Sequence, residues 1–315
     1  MISVRRGYPG LDLLRVAAAL MVAVYHFTFF DVRDDPRLVQ YWADANWCGV
    51  HIFFVISGFV IAFSAQGKSA GQFVLSRVSR LYPAAWICAT ISLVIAGASL
   101  DAYVRSLTLF PLGPWVNGIY WTLPVEIAFY ALVAVALWRG WKLHLIALLL
   151  GGVSTAYWLL RSFGIDGRVG PYLHYGCYFA LGMLLYQRRS PLAAALFLLA
   201  GAIGLHWNAE QHGWGFAAPL IWLIAMLIAA AAVFWNEEVT RATARWPTRT
   251  LGLVTYPLYL VHDDIGRAVL GRGFGWPLAL LLAAIVAFLV LPLEELVRRL
   301  LFFRAPKEAS PTAPP

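Results

Sequence analysis

Long apolar stretches separated by short polar segments are the main pattern of this chain. A helix needs about 20 apolar residues to cross the hydrocarbon core of a bilayer, and ten stretches of roughly that kind follow one another. They cover residues 11–30, 47–65, 83–100, 118–138, 143–160, 173–187, 191–206, 216–235, 251–270 and 276–301. These stretches lack the alternation of apolar and polar residues that barrel strands have. The pattern therefore predicts an all-α, polytopic membrane helix bundle with about ten transmembrane helices.

Composition supports the membrane assignment. Of the 315 residues, 61% are hydrophobic and 13% are charged, whereas about 25% are charged in an average soluble domain. The 24 Lys and Arg and 16 Asp and Glu are too few to cover a soluble protein of this length. The composition therefore excludes an ordinary cytosolic enzyme, a disordered protein and a disulfide scaffold.

The distribution of positive charge predicts the orientation in the membrane. The net charge is +8, but the basic residues lie in short runs between apolar stretches, so we expect no nucleic-acid partner. With the N-terminus placed inside, the inner segments hold 16 Lys or Arg and the outer segments hold 7. By the positive-inside rule, both termini are then cytoplasmic. Residues 1–304 form the membrane domain in this interpretation, and the Pro- and Ala-rich residues 305–315 form a disordered cytoplasmic tail.

The first stretch carries three polar side chains that point to a site. Asp12, Arg15 and His26 share one stripe of a helix, because successive residues turn by about 100°. A charged side chain near the bilayer centre costs about 2.5–3.5 kcal/mol on insertion scales, so such residues tend to have a function. By the alternative interpretation, an Asp12–Arg15 pair only anchors the helix and His26 lies at the outer interface.

Two arginines precede the third stretch. Arg77 and Arg80 are three residues apart, so they share a face on a helix, and Pro83 is expected to open the span that follows. Two planar guanidinium groups on the cytoplasmic side can clamp a phosphate. The alternative is that they only set the topology.

Glu126 is an isolated acid in the outer half of the fourth stretch. A carboxylate among apolar residues stays protonated or takes a basic partner, and His26 is the candidate partner. Alternatively, Glu126 pairs with an arginine for structure alone. In the second stretch, Ser57 and Gly58 favour close helix packing. A catalytic Ser57 would need a base beside it, and none is near it in the sequence.

We expect no metal ion. Six of the seven histidines fall on the predicted outer side, but no two are spaced i,i+4 and no HExxH motif occurs. The three cysteines lack a CxxC spacing, so neither a zinc site nor a disulfide framework is indicated.

Five segments in this order along the chain resemble the acyltransferase-3 family of integral membrane acyltransferases. They are Gly10–Arg15 with His26, residues 49–59, Arg77-x-x-Arg80 followed by Leu81-Tyr82-Pro83, residues 121–130, and Tyr256–His262. His51 stands where Asp is common in the family. The Glu294-Glu295 region matches less well, and no role is transferred to it.

The resemblance implies an activity. Family members take an acyl group, often acetyl, from cytoplasmic acyl-CoA and deliver it to a hydroxyl of a carbohydrate or other acceptor, usually outside the membrane. The partners are therefore the acyl-CoA donor, the carbohydrate or glycolipid acceptor and the lipid bilayer. The implied location is the bacterial inner membrane. The oligomeric state, the identity of the acceptor and the acyl length are left open.

The resemblance also implies roles for individual residues. His26 is the base that takes the acceptor's proton, since the ordinary pKa of histidine is near 6.5. Glu126 orients that imidazole, as carboxylates do in triads, and Arg15 contacts the donor or polarises its carbonyl. The donor site consists of Arg77, Arg80 and Tyr82. Supporting positions are Asp12, Ser57 and His262.

Two other functions are compatible with the sequence. The intramembrane polar residues could form the proton relay of a transporter for a small solute, although the chain has no internal repeat. They could also join the helices of a non-catalytic assembly factor. Within the acyltransferase hypothesis, direct transfer and an acyl-enzyme intermediate both remain open.

Overall fold

The structure, a computed structural model, describes residues 7–31, 46–165, 172–211 and 216–302. Within these ranges the chain forms twelve α-helices and two 3₁₀ helices, without a strand. The α-helices are α1 Pro9–Asp31, α2 Gly49–Ala65, α3 Ala70–Ala96, α4 Leu100–Thr108, α5 Thr122–Trp138, α6 Leu143–Ser162, α7 Gly176–Gln187, α8 Pro191–Gln211, α9 Ala217–Phe234, α10 Asn236–Ala242, α11 Thr248–Leu270 and α12 Trp276–Phe302. The 3₁₀ helices are Gly118–Trp121 and Leu173–Tyr175. The predicted tail at 305–315 lies outside the described residues.

Each of the ten predicted stretches coincides with helix, so the all-α prediction is confirmed. Seven helices in the described part of the chain are long and apolar enough to cross a membrane. They are Pro9–Thr28, Ala70–Ala96, Gly118–Trp138, Leu143–Ser162, Pro191–Gln211, Ala217–Phe234 and Trp276–Phe302. Of the other three, α2 is apolar but has 17 residues, α7 has 12, and α11 carries charges near both ends. The chain is a multi-pass integral membrane protein, while the count of ten stays a prediction.

Helix α3 begins earlier than the hydropathy pattern predicts. Ser69 and Gln72 form a capping box, in which Ser69 Oγ accepts from the Gln72 N–H at 3.3 Å and Gln72 Oε1 accepts from the Ser69 N–H at 3.0 Å. These bonds satisfy donors that a helix start leaves free. Pro83 therefore lies inside the helix and does not open it, which corrects the predicted start. As a result, Arg77 and Arg80 stand on a continuous bundle helix.

Small residues allow α2 and α7 to approach closely. A Cβ atom on Gly58 would overlap the carbonyl oxygen of Phe179, and one on Gly182 would overlap the carbonyl oxygen of Val55. Membrane helices associate through such small residues because lipid offers no hydrophobic drive for packing. The predicted packing role of Gly58 is thereby confirmed.

Two buried apolar clusters make up the interior. One joins the beginning of α1 to α2 and α5–α9, and the other joins the rest of α1 to α3, α11 and α12. Val50, Phe53 and Tyr130 pack against both clusters. The boundary between the clusters is where the polar side chains of the site collect.

Candidate active site

A cavity of about 230 Å³ lies between the two clusters, walled by α1, α2, α3, α5 and α11. Its polar lining residues are Arg15, Ser57, Arg77, Arg80, Thr122, Glu126, Tyr130, Thr255, Tyr256 and Tyr259. Five of the nine residues predicted for the site therefore face one chamber, although four different helices supply them. We call this chamber the arginine cavity.

Glu126 is held by two hydroxyl groups in this cavity. Ser57 Oγ donates to Glu126 Oε1 at 2.8 Å, and the Tyr130 hydroxyl donates to Oε2 at 3.0 Å. The expected hydrogen bond between Glu126 and His26 is not formed between these two described residues, and that expectation was wrong. The cause is tertiary, because Glu126 faces α2 while His26 faces α11. Ser57 consequently has a carboxylate beside it that the sequence did not reveal.

Two of the three arginines of the cavity are neutralised by carboxylates. Arg15 Nη1 lies 3.1 Å from Asp12 Oδ1, and Arg80 Nη1 lies 2.7 Å from Glu294 Oε1. Glu294 is buried, with 5% of its surface exposed. The Arg80 guanidinium also lies over the ring of Tyr256, 5.4 Å from its centroid. These contacts fix both arginines in the cavity wall.

Arg77 differs from its two neighbours. It forms no ion pair within the described part of the chain, and its buried Nε has no hydrogen-bond partner there. A buried donor without a partner costs about 1–3 kcal/mol, and more when it is charged. Arg77 lines the cavity, and a guanidinium group without an ion-pair partner is suited to an anionic ligand.

His26 is paired with His262. The Nδ1 atom of His26 lies 2.9 Å from the carbonyl oxygen of Val22 and 3.2 Å from His262 Nε2. The Nδ1 atom of His262 lies 2.7 Å from the carbonyl oxygen of Tyr259. Because a carbonyl only accepts hydrogen bonds, each Nδ1 carries the proton in the neutral rings. The single Nδ1 proton of His26 is then shared between the Val22 carbonyl oxygen and His262 Nε2, and the Nε2 of His26 keeps its lone pair available.

The histidine pair lies just beyond the arginine cavity. Gly49 packs against the Ala18 carbonyl and Val22, and its neighbour Val50 lines the cavity. Val22 is four residues before His26, a rise of about 6 Å. Tyr259 connects the two levels, since its hydroxyl lies 3.2 Å from Thr122 Oγ1 in the cavity and its carbonyl binds His262.

Tyr82 lies elsewhere. It is not among the residues that line the arginine cavity, and its hydroxyl points to the carbonyl oxygen of Thr108 at 3.5 Å. Its assignment to the donor site stays a prediction without support from the geometry.

Sequence reasoning missed three residues of the site: Glu294, Tyr130 and Tyr259. A signal existed for Glu294, because a carboxylate in an apolar stretch needs a partner, as we argued for Glu126. For Tyr130 and Tyr259 the sequence offered no signal beyond their place in the family motifs at residues 121–130 and 256–262, since tyrosine is common in membrane helices.

In the described part of the chain, no group of three or more His, Cys, Asp or Glu side chains could hold a metal ion. The three cysteines are buried free thiols. The residues that line the cavity supply arginine guanidinium groups, the Glu126 carboxylate and hydroxyl groups, and an imidazole pair lies nearby.

An apolar helix bundle around such a polar chamber defines a multi-pass membrane protein with an internal site. The sequence matches the acyltransferase-3 family, described as an acyltransferase domain, over residues 8–293. The chain belongs to this family and is a membrane acyltransferase, as predicted.

Several characterised proteins are similar to the chain. Nodulation protein 10 of Rhizobium leguminosarum bv. viciae is 27% identical over 85% of this chain and 86% of its own length. The exopolysaccharide production protein ExoZ of Rhizobium meliloti is 25% identical over 77% of this chain and 84% of its own. The peptidoglycan O-acetyltransferase OatA of Listeria monocytogenes is 30% identical over 83% of this chain but only 50% of its own. No solved structure matches the chain.

Proposed function

We propose that this protein transfers an acyl group, acetyl in the first instance, from cytoplasmic acyl-CoA to a carbohydrate hydroxyl on the extracytoplasmic side. The observation that carries the proposal is the arginine cavity, whose outer end approaches the His26–His262 pair. The named activities of the relatives, peptidoglycan O-acetylation and exopolysaccharide production, agree with a glycan acceptor. Family membership favours acyl transfer over the transporter and assembly-factor alternatives.

The proposed orientation places the N-terminus of α1 in the cytoplasm of a bacterium, with the protein in the inner membrane. The excess of Lys and Arg in the inner segments supports it. Counted from the start of α1, Asp12 and Arg15 then lie on the cytoplasmic side of the bundle, and His26 lies about 25 Å along the helix axis. The donor enters from the side with the arginines, and the acceptor approaches the histidines.

In the proposed donor complex, Arg77 and Arg80 bind phosphate oxygens of CoA. Guanidinium groups suit this task because their planar donors match phosphate geometry. Arg15, at the cytoplasmic end of the cavity, also contacts the donor. It lies about 16 Å of helix rise before His26, so its contact is with the donor's arm and phosphates and not with the thioester carbonyl. Glu126 is oriented away from His26, so we assign it a different role from the one predicted. It accepts a hydrogen bond from a pantetheine amide N–H.

The proposed chemical step is direct transfer. His26 Nε2 accepts the proton of the acceptor hydroxyl while that oxygen attacks the thioester carbonyl. The carbon–sulfur bond of the tetrahedral intermediate then breaks, and the imidazolium returns its proton to the departing CoA sulfur. An ester and free CoA are the products. His262 acts as a positioning residue, since it accepts from His26 Nδ1 and holds the ring with Nε2 free.

The test is an assay of purified protein in sealed proteoliposomes with radiolabelled acetyl-CoA on one side and surface glycans of the host on the other. We expect labelled O-acetyl esters on the glycan, identified by mass spectrometry, when the donor is on the side of the N-terminus. Full activity of His26→Ala would refute the catalytic assignment. Proton-coupled solute uptake without any acyl donor would favour the transporter, and activity that survives every single polar-to-Ala change would favour the assembly factor.

A further inference from the structure

A second cavity, of about 440 Å³, adjoins the arginine cavity at the N-terminal ends of α1 and α11. Its walls come from the start of α1, from α2, from α10 and from the connection between α10 and α11. Arg15, Val60, Gly252 and Leu253 line both cavities. The two spaces therefore meet at these residues, and a single extended ligand can occupy both.

The second cavity presents an aromatic ring beside a cation. Trp246 lines it with 60% of its surface exposed. Arg249 lines the same space, three residues further on, and has no ion-pair partner within the described part of the chain. A flat indole ring can stack on a nucleic base, and a guanidinium group can bind a phosphate.

Two threonine hydroxyl groups, on α10 and at its C-terminal end, also belong to residues that line the cavity and can accept hydrogen bonds. Thr240 Oγ1 donates its proton to the carbonyl oxygen of Asn236 at 2.6 Å, and Thr243 Oγ1 donates to that of Val239 at 2.7 Å. Since each hydroxyl has one proton, its remaining lone pairs can only accept. They are suited to the exocyclic amino group of adenine or to a ribose hydroxyl.

We propose that this second cavity binds the adenosine 3′-phosphate head of the acyl donor. The adenine stacks on Trp246, and the 3′-phosphate pairs with Arg249. The diphosphate then passes Arg15 at the junction and reaches the two arginines of α3. The pantetheine arm carries the thioester through the arginine cavity toward the histidine pair. This inference rests on the proposed function, because it takes acyl-CoA as the donor.

The position of Arg15 supports a continuous donor path. Arg15 lines both cavities, and its ion pair with Asp12 holds it at the junction. A Cβ on Gly252 would lie 2.7 Å from Asp12 Oδ1, so only glycine leaves room for this pair beside α11. Between Gly252 and Tyr259 the helix rises about 10 Å, which is the depth that the arm must cross inside the arginine cavity.

The experiment compares two donors, acetyl-CoA and S-acetylpantetheine, which lacks the nucleotide. The variants Trp246→Ala and Arg249→Gln remove the stacking ring and the cation. The matched controls are Trp141→Ala and Arg245→Gln, because both residues are exposed and line neither cavity. Size-exclusion profiles in detergent establish that all four variants fold.

We expect each cavity variant to raise the KM for acetyl-CoA about tenfold, as loss of a stacking ring or a charged hydrogen bond does. The KM for S-acetylpantetheine and the kcat should change less than about twofold, since the nucleotide contacts are absent from that donor and from the reacting atoms. The control variants should match the wild type with both donors. Adenosine 3′,5′-bisphosphate alone should compete with acetyl-CoA, and about tenfold less well in Trp246→Ala.

Three results would overturn the inference. They are equal KM values for the two donors in the wild type, an equal loss for both donors in the cavity variants, and failure of the bisphosphate to compete. Each differs from failure of the proposed function, in which the wild-type protein transfers no acetyl group from either donor.

Discussion

His262 Nε2 lies 3.2 Å from His26 Nδ1. A backbone carbonyl oxygen lies against the Nδ1 atom of each ring and determines that this nitrogen carries the proton. His26 thereby has its Nε2 free, about one helical turn from the level at which the arginine cavity ends. The pair has the hydrogen-bond arrangement of the base and orienting group of a catalytic triad, with an imidazole in place of the carboxylate, and we propose the same division of roles.

We expect His26→Ala to lower kcat by about 10²- to 10⁴-fold, the contribution that a positioned general base makes. The donor KM should be nearly unchanged, because His26 does not line the arginine cavity. Initial rates with labelled acetyl-CoA at saturating acceptor measure both constants. A variant with wild-type kcat would show that another group takes the proton.

Substitutions of His262 can distinguish a residue that positions His26 from one that only supports the fold. His262→Gln can still accept from His26 Nδ1 through its amide oxygen, whereas His262→Leu cannot. We expect kcat to fall about 10- to 100-fold in the Leu variant and to recover substantially in the Gln variant, as for a lost orienting hydrogen bond. The pH dependence of kcat should also shift in the Leu variant. Equal activities and unshifted pH profiles in both variants would argue against the assignment.

Substitutions of Arg77 and Arg80 should have different effects on donor affinity and on the stability of the fold. Arg80→Met leaves Glu294 buried without its partner, which costs roughly 2 kcal/mol of stability, so its melting temperature in detergent should fall. Combining it with Glu294→Gln should restore the melting temperature but not the donor affinity. Arg77→Met should raise the donor KM about tenfold without destabilising the protein. A donor KM that neither change affects would refute the phosphate clamp.

Glu126 and Ser57 should differ in importance despite their shared hydrogen bond. We expect Glu126→Gln to lower kcat/KM about 10- to 100-fold, the value of a hydrogen bond to a charged group. Ser57→Ala removes one neutral donor and should cost less than about tenfold. A labelled acyl-enzyme that disappears in Ser57→Ala would instead show that Ser57 is acylated and that transfer takes two steps.

The contact between α2 and α7 can be tested by substituting its two glycines and comparing them with a third glycine elsewhere. Gly58→Ala and Gly182→Ala place a methyl group against a carbonyl oxygen of the facing helix, and overpacking of this kind costs about 1–3 kcal/mol. Both should lower the melting temperature and the yield. Gly152→Ala is the matched control, because open space surrounds that position on α6. Equal melting temperatures in all three would exclude close packing at this contact.

Much of the fold could be predicted from local sequence. A helix lies at each of the ten apolar stretches that hydropathy predicted. This prediction needs only local sequence, because the length of an apolar run depends only on neighbouring residues. The start of α3 was missed because the segment before Pro83 is polar enough to look like a loop. Its helix is instead set by the Ser69–Gln72 capping box and by packing within the bundle.

The sequence by itself also identified the polar residues that are costly in a membrane, including Arg15, Glu126 and the Arg77–Arg80 pair. It could not assign their partners. Ser57 and Glu126 are 69 residues apart, Arg80 and Glu294 are 214 apart, and His26 and His262 are 236 apart. Hydropathy tells which segments enter the membrane, but which helix faces meet depends on the shapes of their side chains. Only the tertiary structure therefore decided that Glu126 binds hydroxyl groups and that His26 is oriented by a second histidine.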